Sequence, residues 1–228
     1  MRIFAENSVS VAYKAIIAGA SGLIGGLLLD ILLRQPEYDE VLILVRKELP
    51  VKHKKLTQMV IDFDKLDHYA DQITGHAVFC CLGSTRKKTP DLAVYRKIDH
   101  DYPLQLAEIA VKNSMDQYHL VSALGANSAS SNFYTKMKGE TEDDIKKVGA
   151  PCLHIYEPSF IAGDRKERRV VERVFLVIMK VINPLLFGSL KKYRSIPAIT
   201  IARAMVKQSL IKQEGVFIHP SDKIKQIA

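Results

Sequence analysis

The chain has 228 residues, 47% hydrophobic and 25% charged, which excludes disordered, collagen-like and fibrous classes and fits one domain with at most a small appendage. Lys and Arg total 33 against 25 Asp and Glu, so the net charge is +8, suited to nucleic acid, acidic lipid or an anionic cofactor. Three cysteines make no disulfide framework, and no Cys-x-x-Cys or His/Cys ligand spacing occurs, so a reducing cytoplasm and no metal are expected. The N-terminal MRIFAENSVS lacks the apolar run of a signal peptide. The most apolar stretch, residues 174–179, meets Lys180 and then Pro184, and is too short to span a bilayer.

In chain order, residues 14–18 (KAIIA) read as a buried strand and 22–34 as a Leu-rich helix stopped before Pro36. Residues 41–45 (VLILV) and 58–61 are strands, followed by a short helix near 65–70 and a strand over 77–81 (AVFCC). Residues 91–112 carry a helical period interrupted by Pro103. A strand over 117–121, a helix over 133–147 and a strand over 152–156 follow. Near-continuous apolar strands alternating with helices predict an α/β fold: a Rossmann-type doubly wound parallel sheet. The last third changes to helical patterns near 169–182 and 199–211, with a short strand at 216–218. It is predicted as a small C-terminal helical cap, about 159–215, over the sheet's carboxyl edge in a single domain spanning 1–228.

The first strand runs into Gly19-Ala20-Ser21-Gly22-Leu23-Ile24-Gly25. In a Gly-x-x-Gly-x-x-Gly turn, Gly19 permits the tight bend, Gly22 lets the backbone approach a pyrophosphate and Gly25 lets helix pack on strand. The helix N-terminus then presents free N–H groups and a positive dipole end to the anion. A dinucleotide cofactor follows. An acid at the end of the second strand would select NAD through the ribose 2′-OH, but Arg46 stands there with Lys47 beside it. Two cations suit a 2′-phosphate, so the expected cofactor is NADP(H); Glu48 and a plain solvated turn stand on the other side.

Tyr134 and Lys138, spaced i, i+4, share one helix face just after the fifth strand. An ammonium beside a phenol favours the phenolate, so Tyr134 could pass a proton to or from a carbonyl oxygen. The alternative is a Tyr and a Lys on a solvated helix.

With these two features the sequence resembles the short-chain dehydrogenase/reductase superfamily. Residues 60–86 (VIDFDKLDHYADQITGHAVFCCLGSTR), 120–140 (LVSALGANSASSNFYTKMKGE) and 158–165 are similar to a narrower group, the atypical reductases related to the HIV Tat-interacting protein oxidoreductase. The resemblance covers most of residues 15–209. It implies that Gly19, Ser21, Gly22, Leu23, Ile24 and Gly25 line the pyrophosphate, that Arg46 and Lys47 meet the 2′-phosphate, and that Asp62 and Phe63 flank the adenine. Leu82, Gly83 and Thr85 would lie along the ribose. Tyr134 would be the acid/base and Lys138 would hold the nicotinamide ribose. Ser122 would orient the substrate, with Ser128, Ser130 and Ser131 as fallbacks, and Pro158 and Ile161 would border the nicotinamide. Two departures stand out. Glu157 precedes Pro158 where the family usually has Arg, and Ala123-Leu124 follow Ser122 where relatives are more polar.

Cys80-Cys81 read as strand packing rather than a redox pair, and His119 and His154 as structural. Basic clusters at 165–169 and 191–194 flank the apolar segment near 170–187. They would serve solvation, a peripheral membrane contact, or an anionic substrate reaching Arg165 or Lys191. Nucleic acid has no reader motif here. The expected function is therefore an NADP(H)-dependent oxidoreductase acting on an unidentified small-molecule carbonyl or hydroxyl compound. An NADPH-sensing regulator that binds a protein partner, a membrane-peripheral reductase and a sugar-nucleotide epimerase are the alternatives. The oligomeric state is left open.

Overall fold

The computed structural model describes residues 12–162 and 188–228. Seven parallel strands form one sheet in the order β3-β2-β1-β4-β5-β6-β9. They are β1 (Tyr13–Ala18), β2 (Tyr38–Val45), β3 (Leu56–Val60), β4 (Ala77–Cys80), β5 (Gln117–Val121), β6 (Cys152–Glu157) and β9 (Gly215–Pro220). Alternate residues of the central strands feed two separate cores, as a sheet covered on both faces requires. Ile17, Ile43 and Phe79 point to one side, where they meet the leucines of α1 (Leu23–Arg34). Ile16, Leu42 and Val78 point to the other, under a 3-10 segment (Phe63–Gln72), α3 (Tyr102–Lys112) and Ile145 of α4 (Phe133–Val148).

The strand order reverses at β1. The chain leaves β1 toward β2 and β3, then returns to lay β4, β5 and β6 on the opposite flank. The crevice at the carboxyl ends of β1 and β4 is where open α/β sheets bind their ligands. The glycine-rich turn leaves β1 and residues 82–85 leave β4 at this point.

The interruption expected at Pro103 takes the form of a π-turn: helix α2 (Leu92–Arg96) widens at Lys97–Asp101, directly before Pro103 in the first turn of α3. The expected cap divides. Helix α5 (Ala198–Ser209) packs Ile201, Ala202 and Met205 into the same core as α1, so it is a layer of the sheet and not a cover over its edge. Its apolar stripe is satisfied by α1 and the strands beneath it. Strand β9 then extends the sheet beside β6, and α6 (Ser221–Ile227) closes the chain. What lies over the carboxyl edge is smaller: β7 (Ile161–Ala162) paired with β8 (Ile196–Pro197), and a 3-10 turn at Gly188–Tyr193. The predicted helix near 169–182, Arg165 and the apolar segment at 170–187 fall outside the described residues. Among those described, no helix is long and apolar enough to cross a membrane.

Candidate cofactor and catalytic site

The glycine turn has the form its spacing predicts. Gly19 has φ +92°, a conformation that side chains rarely adopt, and a Cβ there would stand 2.6 Å from the Cys81 carbonyl oxygen. A Cβ on Gly25 would overlap the Gly19 carbonyl, so only glycine allows α1 this close to β1. Gly22 is the N-cap of α1 and offers no side-chain cap. The helix's first intrahelical bond runs from Gly26 N–H to the Gly22 carbonyl, leaving the N–H groups of Leu23, Ile24 and Gly25 without helical partners. With exposed Ser21 beside them, these groups form an open cradle that fits a pyrophosphate.

Arg46 and Lys47 follow β2 and are exposed. The Arg46 charge reaches the hydroxyl of Tyr102. Burial, and then a 2.8 Å hydrogen bond to Asp64, push that hydroxyl up to about 12. Tyr102 lies over buried Phe63 at 5.5 Å between ring centres, and Asp62 caps the 3-10 segment by accepting the Asp64 N–H. Arg46, Phe63 and Tyr102 thus share one end of the crevice. Tyr102 carried no signal in the sequence beyond its helical period.

At the other end, Asn132 caps α4 by accepting the N–H groups of Tyr134 and Thr135. This fixes the first turn of the helix that bears the Tyr-x-x-x-Lys pair. Tyr134 is 40% exposed and lines a cavity of about 560 Å³ with Ser122, Glu157, Pro158, Ile161 and Lys192. Lys138, one turn deeper, is buried and does not line the cavity; its Nζ lies 2.9 Å from Asp99. Burial would lower the ammonium's pKa, but Asp99, with Tyr134 and Cys80, outweighs it and the net direction is up. Asp99 also accepts the Ser84 N–H at 2.7 Å, and a Cβ on Gly83 would come 3.5 Å from it. Leu82 is partly buried against the core, and Thr85 turns the chain by accepting the N–H groups of Lys88 and Thr89 on its carbonyl. Asp99 is the residue that sequence reading missed.

Ser122 is buried at the end of β5 and donates its hydroxyl to Glu142 at 2.5 Å. Glu142 is raised by burial against the pull of Ser122 and Lys146, whereas burial and the Glu142 charge push Glu157 up to about 7. Of the fallback hydroxyls, Ser128 donates to Asp143 and Ser130 bonds Thr135, so both hold the loop together. Cys80 and Cys81 are free, and burial raises both thiols, which suits packing groups.

Residues 19–156 match a family described as NAD(P)H-binding. The rat protein HTATIP2 is 34% identical over 203 residues, covering 87% of this chain and 82% of its own. The chain belongs to the NAD(P)H-binding, HTATIP2-like family of atypical short-chain dehydrogenases. Another member of similar length, the mitochondrial protein fmp52 of Aspergillus clavatus, is 31% identical over 217 residues, 91% of this chain and 92% of that one. Among solved structures, the Bordetella bronchiseptica enzyme WbmH in complex with NAD+ superposes with a TM-score of 0.69 at 16% identity, over 92% of this chain and 76% of that one. A UDP-N-acetylglucosamine 4-epimerase from Methanobrevibacter ruminantium gives 0.67 at 16% identity, over 92% and 76%. At such identities these two establish the shared Rossmann-type α/β fold and nothing finer.

Proposed function

We propose that the chain is an NADP(H)-dependent oxidoreductase that reduces a small-molecule carbonyl, or oxidises the matching alcohol, with Tyr134 as acid/base. The observation that carries this reading is the placement of the Tyr134 phenol and Ser122 in one cavity, with Lys138 buried behind them next to the crevice. Gly19, Ser21, Gly22, Leu23, Ile24 and Gly25 would hold the pyrophosphate, and Arg46 and Lys47 the 2′-phosphate. Asp62 and Phe63 would border the adenine, Leu82, Gly83 and Thr85 the ribose, and Pro158 and Ile161 the nicotinamide. The bound cofactor supplies the hydride. Tyr134 gives its proton to the carbonyl oxygen and takes it back in the reverse direction, Lys138 holds the ribose and the charge behind the phenol, and Ser122 orients the substrate oxygen.

Tyr134→Phe is expected to abolish turnover while NADPH still binds, read by NADPH consumption over a carbonyl panel and by fluorescence titration; unchanged turnover would remove the acid. Wild type should bind NADPH more tightly than NADH, and Arg46→Ala should erase that preference. Equal affinities in wild type would overturn the NADP assignment. The free cysteines suit a reducing compartment, and the fmp52 name places mitochondria beside the cytoplasm as locations to separate by cell fractionation. A peripheral membrane contact through the basic-flanked segment near 170–187 would be read by sedimentation with anionic vesicles.

A further inference from the structure

The ends of β5 and β6 meet α4 so that one carboxyl group bonds Ser122 and a second lines the same cavity. Glu142, one turn beyond Lys138, is buried and accepts the Ser122 hydroxyl at 2.5 Å. Glu157, the last residue of β6, lines the cavity beside Ser122, and its carboxyl has no hydrogen bond or ion pair with the described residues. The charges facing Glu142 are Lys146, 3.7 Å away on the same helix, Asp143, which is itself held by Ser128 and Lys146, and Glu157 from β6. Those facing Glu157 are Glu142, Lys146 and Lys192.

A hydroxyl has one proton. Ionised Glu142 can only accept, so it draws the Ser122 proton away from the cavity and leaves Ser122 presenting lone pairs there. A carbonyl oxygen needs a donor. One proton on Glu142 reverses the bond: the carboxyl donates to Ser122 Oγ, and the Ser122 proton is free to turn into the cavity. Glu157 bears on this state, because the Glu142 charge acts on it and two interacting carboxylates do not ionise independently.

We propose that Glu142 and Glu157 titrate as a coupled pair and position Ser122, turning its hydroxyl toward a carbonyl oxygen when Glu142 holds a proton and withdrawing it when Glu142 is ionised. The consequence for substrate rests on the reductase reading above; the pair itself does not. The pair neither gains nor loses a proton in turnover, since the proton that reaches the substrate oxygen comes from Tyr134.

Carbon-13 NMR of the full chain labelled at glutamate tests the pair without turnover, with Glu142→Gln and Glu157→Gln assigning the signals. Two coupled steps are expected, the upper one above the ordinary carboxylate range, and Glu157→Gln should move the remaining Glu142 step toward acid. Two independent titrations in the ordinary range overturn the proposal. NADPH oxidation by 9,10-phenanthrenequinone, followed from about pH 5 to about pH 9, tests control of Ser122. The wild-type rate should fall about tenfold per pH unit above the Glu142 step that the NMR assigns. That step should vanish in Glu142→Gln, whose amide does not titrate, with NADPH affinity unmoved. A step that persists in Glu142→Gln, or an equal loss of rate at every pH, overturns the positioning role. Should wild type leave the quinone untouched, the reductase reading fails and the NMR titration alone decides the pair.

Discussion

Asp99 is 1% exposed and uses both carboxylate oxygens: one holds Lys138 at 2.9 Å and the other takes the Ser84 N–H at 2.7 Å. One buried anion therefore ties the loop after β4, on the cofactor side, to the helix that carries Tyr134. Asp99→Asn keeps the shape and an acceptor for Ser84 but leaves a buried ammonium facing a neutral amide. Removing one partner of a buried pair costs about 3–5 kcal/mol, and the retained acceptor puts this change near about 3 kcal/mol. The sign with pH is fixed by the raised Lys138 ammonium: the pair's stabilisation is whole below the ordinary value of 10.5 and is lost only as pH rises through the higher folded value. Urea unfolding at neutral pH therefore reads the full effect. A midpoint equal to wild type would show that Asp99 does not hold Lys138 in solution. None of this was legible in the sequence, because Asp99 lies in the π-turn and Lys138 on α4, far apart in the chain and joined only by the fold. The glycine turn and the Tyr-x-x-x-Lys spacing were legible because each depends on residues within one turn of chain.

Helix α4 shows how an element can be read correctly while its placement is not. Its boundaries follow from the Asn132 cap and from Gly149 at φ +78° past its end. Its position depends on Gly139, which no periodicity singles out. A Cβ there would overlap the backbone of Asn127 and Ser128, in the loop that continues from Ser122. That close approach sets the distance between the helix bearing Tyr134 and Lys138 and the strand end bearing Ser122. Gly139→Ala, on exposed helix a stabilising change, is expected here to cost about 1–3 kcal/mol and to slow turnover more than it weakens NADPH binding. Thermal unfolding and steady-state kinetics would check it. A variant as stable as wild type would mean that the loop yields freely, and the helix position would then need another cause.

At the scale of the molecule, the apolar runs VLILV and AVFCC declared a sheet buried on both faces, and the strand order places the crevice where the glycine turn needs it. The strands of the β5-β6-β9 flank were read at 117–121, 152–156 and 216–218, with His119 and His154 structural; what was not legible is that His219 joins them in one buried layer. His119 and His154 stack at 4.6 Å, His154 and His219 at 5.2 Å, and His154 Nδ1 shares a 2.9 Å hydrogen bond with His219 Nε2. Such a bond needs one unprotonated nitrogen, so charging both rings would set two N–H groups against each other. Burial lowers all three imidazoles, His154 from 6.5 to about 3 and His219 to about 4, with His119 also well down. A depressed folded value means that the unfolded chain takes up protons first. The stability these rings contribute is present above 6.5 and drains as pH falls toward about 3. Each ring contributes a slope of about 1.4 kcal/mol per pH unit within that window. Glu157 works in the opposite direction between 4.5 and about 7, where the folded state holds its proton more tightly. The histidine share is therefore read as a difference: urea unfolding of wild type and His154→Gln across the acid range. The variant should lose stability less steeply as pH falls, because it has one fewer ring to protonate on unfolding. Parallel curves would show that His154 is already charged, or already exposed, in the folded chain.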